Sequence, residues 1–229
     1  MSEPIAPTPI APTPIARSPI AAQAPVVRFG WEISARAARG DLSLSDETPL
    51  AKVAVRAPFR GAAADALGVG FGRTTRTDVD GIGDVLVVGS GPGEWLVLAA
   101  PGRGPELAAA LTRQLGSSGE FVSVIDLTHG RALVRLAGRA APQVLAKVCG
   151  IDLSDSVTPD GAALRTSVAR VVTDVVRDDR GSPPSSVGPS YLLHVERSSG
   201  QFLAGALLDA GAEFGLETGS FVGLAGRDT

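Results

Sequence analysis

The sequence predicts an α+β fold made of two tandem βαββα units, preceded by an extended Pro-rich N-terminal tail. Two observations carry this prediction: strand-like and helix-like segments occur twice in the same order, and the chain aligns with itself at an offset of 96 residues. The chain has 229 residues, of which 44% are hydrophobic and 20% are charged. That length and composition allow one large globular domain or two small halves.

A proline repeat marks the N terminus. Pro4, Pro9, Pro14 and Pro19 recur every five residues within copies of Pro-Ile-Ala-Pro-Thr. Proline fixes φ and removes a backbone donor, so the repeat predicts a largely polyproline II tail outside the core. A strap that docks on a partner is the alternative. Residues 1–49 together are predicted to be this tail and an irregular lead-in.

The first half is predicted at 50–120. Its elements are a strand at 52–56, a short helix at 61–67, a hairpin of strands at 84–89 and 94–100, and a helix that starts near Pro105 and stops at Gly116. The glycines between the hairpin strands resemble a nucleotide-binding turn. Glu94 stands where the third glycine of that fingerprint belongs, and a strand pattern follows, so a plain hairpin turn is the interpretation.

The second half is predicted at 121–216, followed by a flexible C-terminal tail at 217–229. Its elements are a strand at 131–136, a helix at 142–149, strands at 168–176 and 191–196, and a helix at 198–210. Alternation in the first strand predicts that Arg135 lies on a solvent-facing side. Ser198 and Gln201 suit a capping box for the last helix, and Gly211 suits its stop.

The self-alignment pairs residues 95–115 with 191–211 without a gap. Leu107 aligns with Leu203 and Leu111 with Leu207, so the apolar stripe of the helix is shared. Each half would then form a sheet with helices on one face.

Charge and cysteine content exclude several classes of protein. The 21 basic and 24 acidic residues give a net charge of −3, which lacks the basic excess of nucleic-acid binders. The single cysteine, Cys149, excludes an internal disulfide and favours a cytoplasmic location. The sequence has neither an apolar run long enough for a membrane span nor a secretory signal pattern, so no membrane association is expected.

The segment Asp-Leu-Thr-His-Gly-Arg at 126–131 concentrates the candidate site residues Asp126, Thr128, His129 and Arg131. A histidine beside a carboxylate suits a general base. The alternative is a turn in which Asp126 and Thr128 accept hydrogen bonds from backbone amides and Gly130 supplies a permissive φ. We therefore expect a vestigial site or a partner interface here, with no catalytic, cofactor-binding or metal-binding residue in the chain.

Other polar residues are expected to have structural or solvent roles. Cys149 is predicted to be a small buried hydrophobe and His194 a strand residue that faces a partner. Solvated positions are expected for two carboxylate pairs and for most of six strand-flanking arginines: Asp152 with Asp155, Asp178 with Asp179, and Arg56, Arg60, Arg131, Arg135, Arg165 and Arg170.

Six segments in the same order resemble the gamma subunit of heterotetrameric sarcosine oxidase. They are FRG at 59–61, GPGEWLVLA at 91–99, DLTHGRALVRLAG at 126–138, VLAKVCGIDL at 144–153, RTSVARV at 165–171, and YLLHVERSS with LLDAGAEFGL within 191–216. The resemblance spans about residues 50–216. The Asp126-Leu-Thr-His129-Gly segment is also similar to the Asp-x-Ser-His segment of the glycine cleavage T-protein.

The resemblance implies a ferredoxin-like, pseudo-duplicated aminomethyltransferase folate-binding fold and a non-catalytic role in a flavoenzyme complex. Such complexes oxidatively demethylate sarcosine to glycine, transfer a one-carbon unit to tetrahydrofolate, and produce hydrogen peroxide. The implied partners are alpha, beta and delta subunits, which would hold FAD, FMN, NAD, tetrahydrofolate and zinc, while this chain holds none.

Two other functions remain open from the sequence. The chain could be a stand-alone folate-binding protein of the aminomethyltransferase fold. It could also be the gamma-type subunit of a related demethylase that acts on dimethylglycine or N-methylglutamate, since substrate choice would be made in the flavin subunit.

Overall fold

The computed structural model describes residues 14–183 and 186–224. The strands in these residues are β1 (Ala16–Arg17), β2 (Pro25–Arg28), β3 (Trp31–Ser34), β4 (Ser43–Asp46), β5 (Ala51–Arg56), β6 (Thr74–Val79), β7 (Gly83–Gly91), β8 (Glu94–Ala99), β9 (Ser123–Asp126), β10 (Arg131–Ala137), β11 (Ala163–Val168), β12 (Val171–Arg177), β13 (Ser190–Glu196) and β14 (Glu217–Gly219). The helices are α1 (Ala62–Leu67), α2 (Gly104–Gly116), α3 (Ala141–Ala146) and α4 (Gly200–Gly211). The chain is thus a mixed α+β structure, as the sequence predicts.

The first large sheet has the order β6-β7-β8-β5-β9. One face packs against α1 and α2 through an apolar cluster that includes Val53, Val97, Leu107 and Leu111. These leucines repeat at i and i+4 on α2, which gives the helix one continuous apolar stripe.

The second large sheet has the order β11-β12-β13-β10-β4-β14. Its outer face packs against α3 and α4 through residues such as Val134, Leu145 and Leu203. A third cluster joins the inner faces of the two sheets, with Leu86 and Leu98 on one side and Leu133 and Leu192 on the other. The helices therefore lie outside two stacked sheets.

This stacking corrects the predicted half-buried strand at 131–136. Residues 132–137 of β10 are all buried, and Arg135 is 0% exposed. A strand covered on one face by helices and on the other by a second sheet has no solvent-facing side.

The lead-in to residue 49 is not irregular. β4 pairs antiparallel with β10 in the middle of the second sheet, and β14 pairs parallel with β4 on its other side. β1, β3 and β2 form a separate small sheet. Leu44 of β4 is buried in the core, which explains why a short polar-looking segment such as Ser-Leu-Ser-Asp becomes a strand.

Part of the predicted tail packs on the body of the protein. Ile20 contacts the core cluster beneath α4. Pro19 lies so close to Gly200 that a Cβ on that glycine would come within 2.9 Å of the proline ring. For residues 14–21 the expectation of a tail outside the core is therefore wrong, whereas residues 4–13 of the repeat lie outside the described residues.

The predicted strand at 168–176 contains the turn and the second strand of a hairpin. β11 ends at Val168 and β12 begins at Val171, with Ala169 and Arg170 at φ values of 48° and 68°. A two-residue turn with positive φ at both positions suits the twist of a β-hairpin, but it is usually marked by Asn or Gly. Neither residue type is present there, so no local pattern indicated the turn or β11. The prediction missed β6 as well.

The helix ends also differ from the prediction. α2 starts at Gly104 with Pro105 in its first turn, as expected, but Gly116 and Gly211 do not adopt the left-handed conformation. A 3-10 turn precedes α4, and the Gln201 side chain accepts a hydrogen bond from Ala21 N instead of forming a capping box. α3 covers only part of the predicted helix at 142–149.

The glycine turn between β7 and β8 is predicted to be sensitive to added bulk. Gly93 has a φ of +72°, and a Cβ there would lie 2.6 Å from the carbonyl oxygen of Ala57. We expect Gly93→Ala to lower the free energy of unfolding by about 2 kcal/mol, through both strain and the clash. Urea denaturation measures this loss.

Gly102→Ala is the matched control. Gly102 has a φ of +81°, but a Cβ there meets nothing within 4 Å. The expected loss is about 1 kcal/mol, from backbone strain alone. Equal losses in the two variants would contradict the close approach at Ala57.

No helix in residues 14–183 and 186–224 is long and apolar enough to cross a membrane.

Candidate functional site

The segment at 126–131 connects the first large sheet to the second. It connects the end of β9 with the start of β10. The Asp126 carboxylate accepts a hydrogen bond from Thr128 N at 2.9 Å, and the Thr128 hydroxyl accepts one from Lys52 N at 3.1 Å. Gly130 N donates to the Leu127 carbonyl. These contacts agree with a turn in which side chains satisfy backbone amides, although Gly130 has an ordinary φ.

His129 and Arg131 have separate contacts on either side of this turn. The His129 ring stacks on the Trp31 indole, with ring centroids 4.9 Å apart and planes 8° apart. Arg131 forms a 2.6 Å ion pair with Glu196, its register partner across β10 and β13. The four candidate residues are therefore neighbours in the chain, but their functional groups do not converge on one point as a general-base site requires.

Lys52 is a buried charged residue that the sequence analysis did not single out. It is 0% exposed, and its ammonium donates to the carbonyl oxygens of Thr48 and Leu50 at 2.6 and 2.7 Å. Burial lowers the pKa of Lys52 to about 7, while the carboxylates of Asp46 and Asp126 oppose the shift. Lys52 is one of only two lysines in the chain, and this rarity is the sequence feature that could have marked it as unusual.

His194 is buried against Asp174, not directed toward a partner. The side chain is 6% exposed, and Nδ1 lies 3.2 Å from a carboxylate oxygen of Asp174. Burial lowers the pKa of His194. Burial alone would raise the pKa of Asp174, but hydrogen bonds from His194 and Arg165 outweigh it and lower that pKa.

A buried charge network joins the two large sheets. The Asp178 carboxylate accepts from Arg135 at 3.1 Å and from Arg76 at 2.7 and 2.9 Å. Arg135 also donates to the Ser190 hydroxyl at 2.8 Å. Since Arg76 belongs to β6 and Arg135 to β10, one carboxylate ties both sheets together.

The network corrects two expectations of solvated side chains, because Arg135 is 0% and Asp178 is 5% exposed. The charge of Arg135 also offsets part of the cost of burying the Glu47 carboxylate. Burial raises the pKa of the Glu47 carboxyl, with Arg135 as the largest opposing influence. The Glu47 carboxylate accepts hydrogen bonds from Val222 N and Gly223 N, so it holds the C-terminal segment against β4. Since β14 also pairs with β4, the prediction of a flexible tail is wrong for residues 217–224.

The buried charges thus have structural partners within the chain. No group of three His, Cys, Asp or Glu side chains able to hold a metal ion occurs in the described ranges 14–183 and 186–224. Cys149 is buried, in agreement with its prediction as a small hydrophobe.

Comparisons with known proteins bear on the resemblance stated from the sequence. No family model matches the chain. The sarcosine oxidase gamma subunit of Corynebacterium sp. (strain P-1) is 34% identical over 136 residues, which are 58% of this chain and 65% of that protein. The resemblance to sarcosine oxidase gamma subunits is confirmed. The gamma subunit from Arthrobacter sp. is 36% identical over 110 residues, which are 48% of this chain and 52% of that protein.

The alignments to these two gamma subunits span about two thirds and about half of their length. A chain of the heterotetrameric sarcosine oxidase from Corynebacterium sp. U-96, solved with pyrrole 2-carboxylate, matches more completely. The TM-score is 0.61 at 26% identity, and the match covers 78% of this chain and 88% of that chain. The similarity to sarcosine oxidase therefore extends to the three-dimensional structure of a chain of the heterotetrameric enzyme.

The glycine cleavage aminomethyltransferase T from Bartonella henselae shares the fold. Its TM-score is 0.66 at 16% identity, and the match covers 90% of this chain and 60% of that chain. The comparison assigns an aminomethyltransferase-like α+β fold and carries no functional inference.

Proposed function

We propose that this chain is the gamma subunit of a heterotetrameric sarcosine oxidase and has no active site of its own. The observation that carries the proposal is the match to a chain of such an enzyme, which covers 88% of that chain at 26% identity. Two proteins named sarcosine oxidase subunit gamma, at 34% and 36% identity, support it.

The partners would be the alpha, beta and delta subunits, and the assembly would oxidatively demethylate sarcosine to glycine with production of hydrogen peroxide. FAD, FMN, NAD and zinc would be held by those subunits. A cytoplasmic location is part of the proposal, and the single, buried Cys149 is compatible with it.

Tetrahydrofolate would accept the one-carbon unit on another subunit. The 126–131 segment, which resembles the aminomethyltransferases, uses its polar groups inside this chain: Asp126 accepts from Thr128 N, and the Thr128 hydroxyl accepts from Lys52 N. Such a turn does not fit a folate pocket, so we assign it no step in the one-carbon transfer.

We further propose that the fold is a pseudo-duplication of ferredoxin-like units, divided near residues 50–120 and 121–216, although each half has three strands between its helices and not the two of the predicted βαββα order. The strand orders support this. β8 lies between β7 and β5 in the first sheet, and β13 lies between β12 and β10 in the second. Each half also places one helix after its first strand and a longer helix after its last hairpin strand.

The exposed residues of the 126–131 turn are the proposed contact with another subunit. Asp126 and His129 are exposed, whereas Thr128 is buried. The Trp31 indole fixes the His129 ring in one orientation, which lowers the entropy that an interface side chain loses on binding.

Deletion of the gene in the native host tests the proposal. We expect sarcosine-dependent oxygen uptake in cell extracts to fall at least tenfold, because the flavin subunits lose a structural partner, and to return when the full chain is supplied. Oxygen uptake with an unrelated flavoenzyme substrate is the control. Unchanged sarcosine-dependent uptake in the deletion strain would contradict the proposal.

A further inference from the structure

A cavity lies on the outer face of the second large sheet, beneath the N-terminal segment. Its volume is about 220 Å³. Leu44 of β4, Val134 of β10 and Ala204 of α4 form its apolar wall, and Ile20–Gln23 lie across it. We call residues 17–23 the strap, since they cross the gap between α4 and the small sheet.

The strap is held by polar contacts at several points. Ala21 N donates to the Gln201 side chain on α4 at 2.9 Å, and the guanidinium of Arg197 donates to the Arg17 carbonyl. The Ser34 hydroxyl donates to the Gln23 carbonyl at 2.9 Å. The cavity thus has a fixed cover with polar groups at its rim.

Asp46 is the one ionisable residue among those that line this cavity in the described part of the chain. It is two residues from Leu44 on the same strand, so both side chains point to the cavity face of the sheet. The carboxylate accepts a hydrogen bond from Thr48 N at 3.0 Å and further hydrogen bonds from the Ser18 and Thr48 side chains. The Lys52 ammonium donates to backbone carbonyls, and its charge stabilises the Asp46 carboxylate without a direct contact.

The carboxylate therefore carries its charge beside an apolar cavity without a salt bridge to another described residue. Removal of a carboxylate from water is costly unless a cation or several donors compensate. In agreement with this, burial is the largest influence on the Asp46 carboxyl and raises its pKa. The pKa stays raised despite the hydrogen bonds and the Lys52 charge, so a cation in the cavity would offset the part of the burial cost that they leave.

We propose that this cavity binds a small organic ammonium ion, with the ammonium group on the Asp46 carboxylate and the hydrocarbon chain against Leu44, Val134 and Ala204. An anion is disfavoured because the lining offers no cationic side chain. A primary ammonium with about four carbon atoms matches the volume and the mixed character of the wall. This inference is independent of the proposed function, since it requires neither flavin nor a partner subunit.

Titration of the purified full-length chain with butylammonium chloride at pH 8 tests the inference. Isothermal calorimetry and saturation-transfer NMR are the readouts, with 1-butanol and sodium chloride as ligand controls. We expect saturable binding of butylammonium with a Kd in the millimolar range or below, and at least tenfold weaker binding of 1-butanol.

Two variants locate the site. Asp46→Asn is expected to weaken binding at least tenfold, because it removes the charge that holds the ammonium. Asp209→Asn is the matched control, since Asp209 lies on the exposed side of α4, the helix that walls the cavity. It should bind like the unmodified chain.

A third variant keeps the test decisive if Asp46→Asn does not fold. Ala204→Leu adds three carbon atoms to the wall without a change of charge, and circular dichroism checks its fold. We expect it to lose butylammonium binding. No saturable binding to the unmodified chain, equal binding of 1-butanol, or binding that survives both Asp46→Asn and Ala204→Leu would overturn the inference.

Discussion

Replacement of Asp178 by Asn is expected to lower the free energy of unfolding by about 3–5 kcal/mol, because it removes the buried negative charge that two guanidinium groups share. Arg135 is 0% exposed and Arg76 is 10% exposed, and both donate to this one carboxylate. Urea denaturation at pH 7 measures the change.

Asp155→Asn is the control for that prediction. Asp155 also forms an ion pair with an arginine, Arg177, at 2.6 Å, but its side chain is 85% exposed. An exposed pair contributes about 0–1 kcal/mol, since water solvates the separated charges. Similar losses of stability in the two variants would contradict the prediction that burial makes the Arg76–Asp178–Arg135 network more stabilising than an exposed ion pair.

Stability is expected to rise with pH between about 7 and 10 because of Lys52. Burial lowers the pKa of Lys52 from 10.5 to about 7 in the folded chain. In this window the unfolded chain binds a proton that the folded chain does not, so the free energy of unfolding increases as pH rises. The expected gain across the window is on the order of 4 kcal/mol at most.

His194 and Tyr191 act outside that window. Burial lowers the pKa of His194 below its usual value of 6.5, and burial raises the pKa of Tyr191 from 10.0 to about 12. The His194 contribution is therefore lost below about pH 6.5, and the Tyr191 contribution changes only above about pH 10. Denaturation curves at pH 7, 8 and 9 measure the slope, and a variant of Lys52 assigns it.

Lys52→Met is expected to remove most of the pH slope. Lys147→Met, which replaces the other lysine of the chain, is the matched control. The Lys147 ammonium is 42% exposed and pairs with Glu213 at 2.7 Å, so its loss should leave the slope in place. An unchanged slope in Lys52→Met would contradict the assignment of the titration to Lys52.

Patterns of apolar residues predicted the order of the main elements. The strand at 52–56, the hairpin at 84–100 and the helix that begins near Pro105 agree with β5, β7, β8 and α2 to within two residues. Local signals suffice there, because proline, glycine and the leucine stripe act within a few residues. β4 and β14 have no local sequence pattern of this kind. They become strands because β4 pairs with β10 and β14 pairs with β4.

The charged residues show the same difference between contacts made within a short segment and contacts made between distant segments. The contacts of Asp126 and Thr128 arise within a short turn, and the alternative of a turn was open from the sequence. The burial of Arg135 and Asp178 depends on two stacked sheets that bring residues 43 positions apart within 3.1 Å. Neither composition nor periodicity carries that long-range information, so both residues were assigned to solvent.

The most direct test of the proposed gamma-subunit role is affinity purification of the tagged full-length chain from its native host, with an absorption spectrum and an oxygen-uptake assay of the eluate. We expect co-purified larger subunits, flavin absorption, and oxygen uptake that depends on sarcosine. A colourless chain that elutes without partners, or partners whose oxygen uptake does not respond to sarcosine, would contradict it.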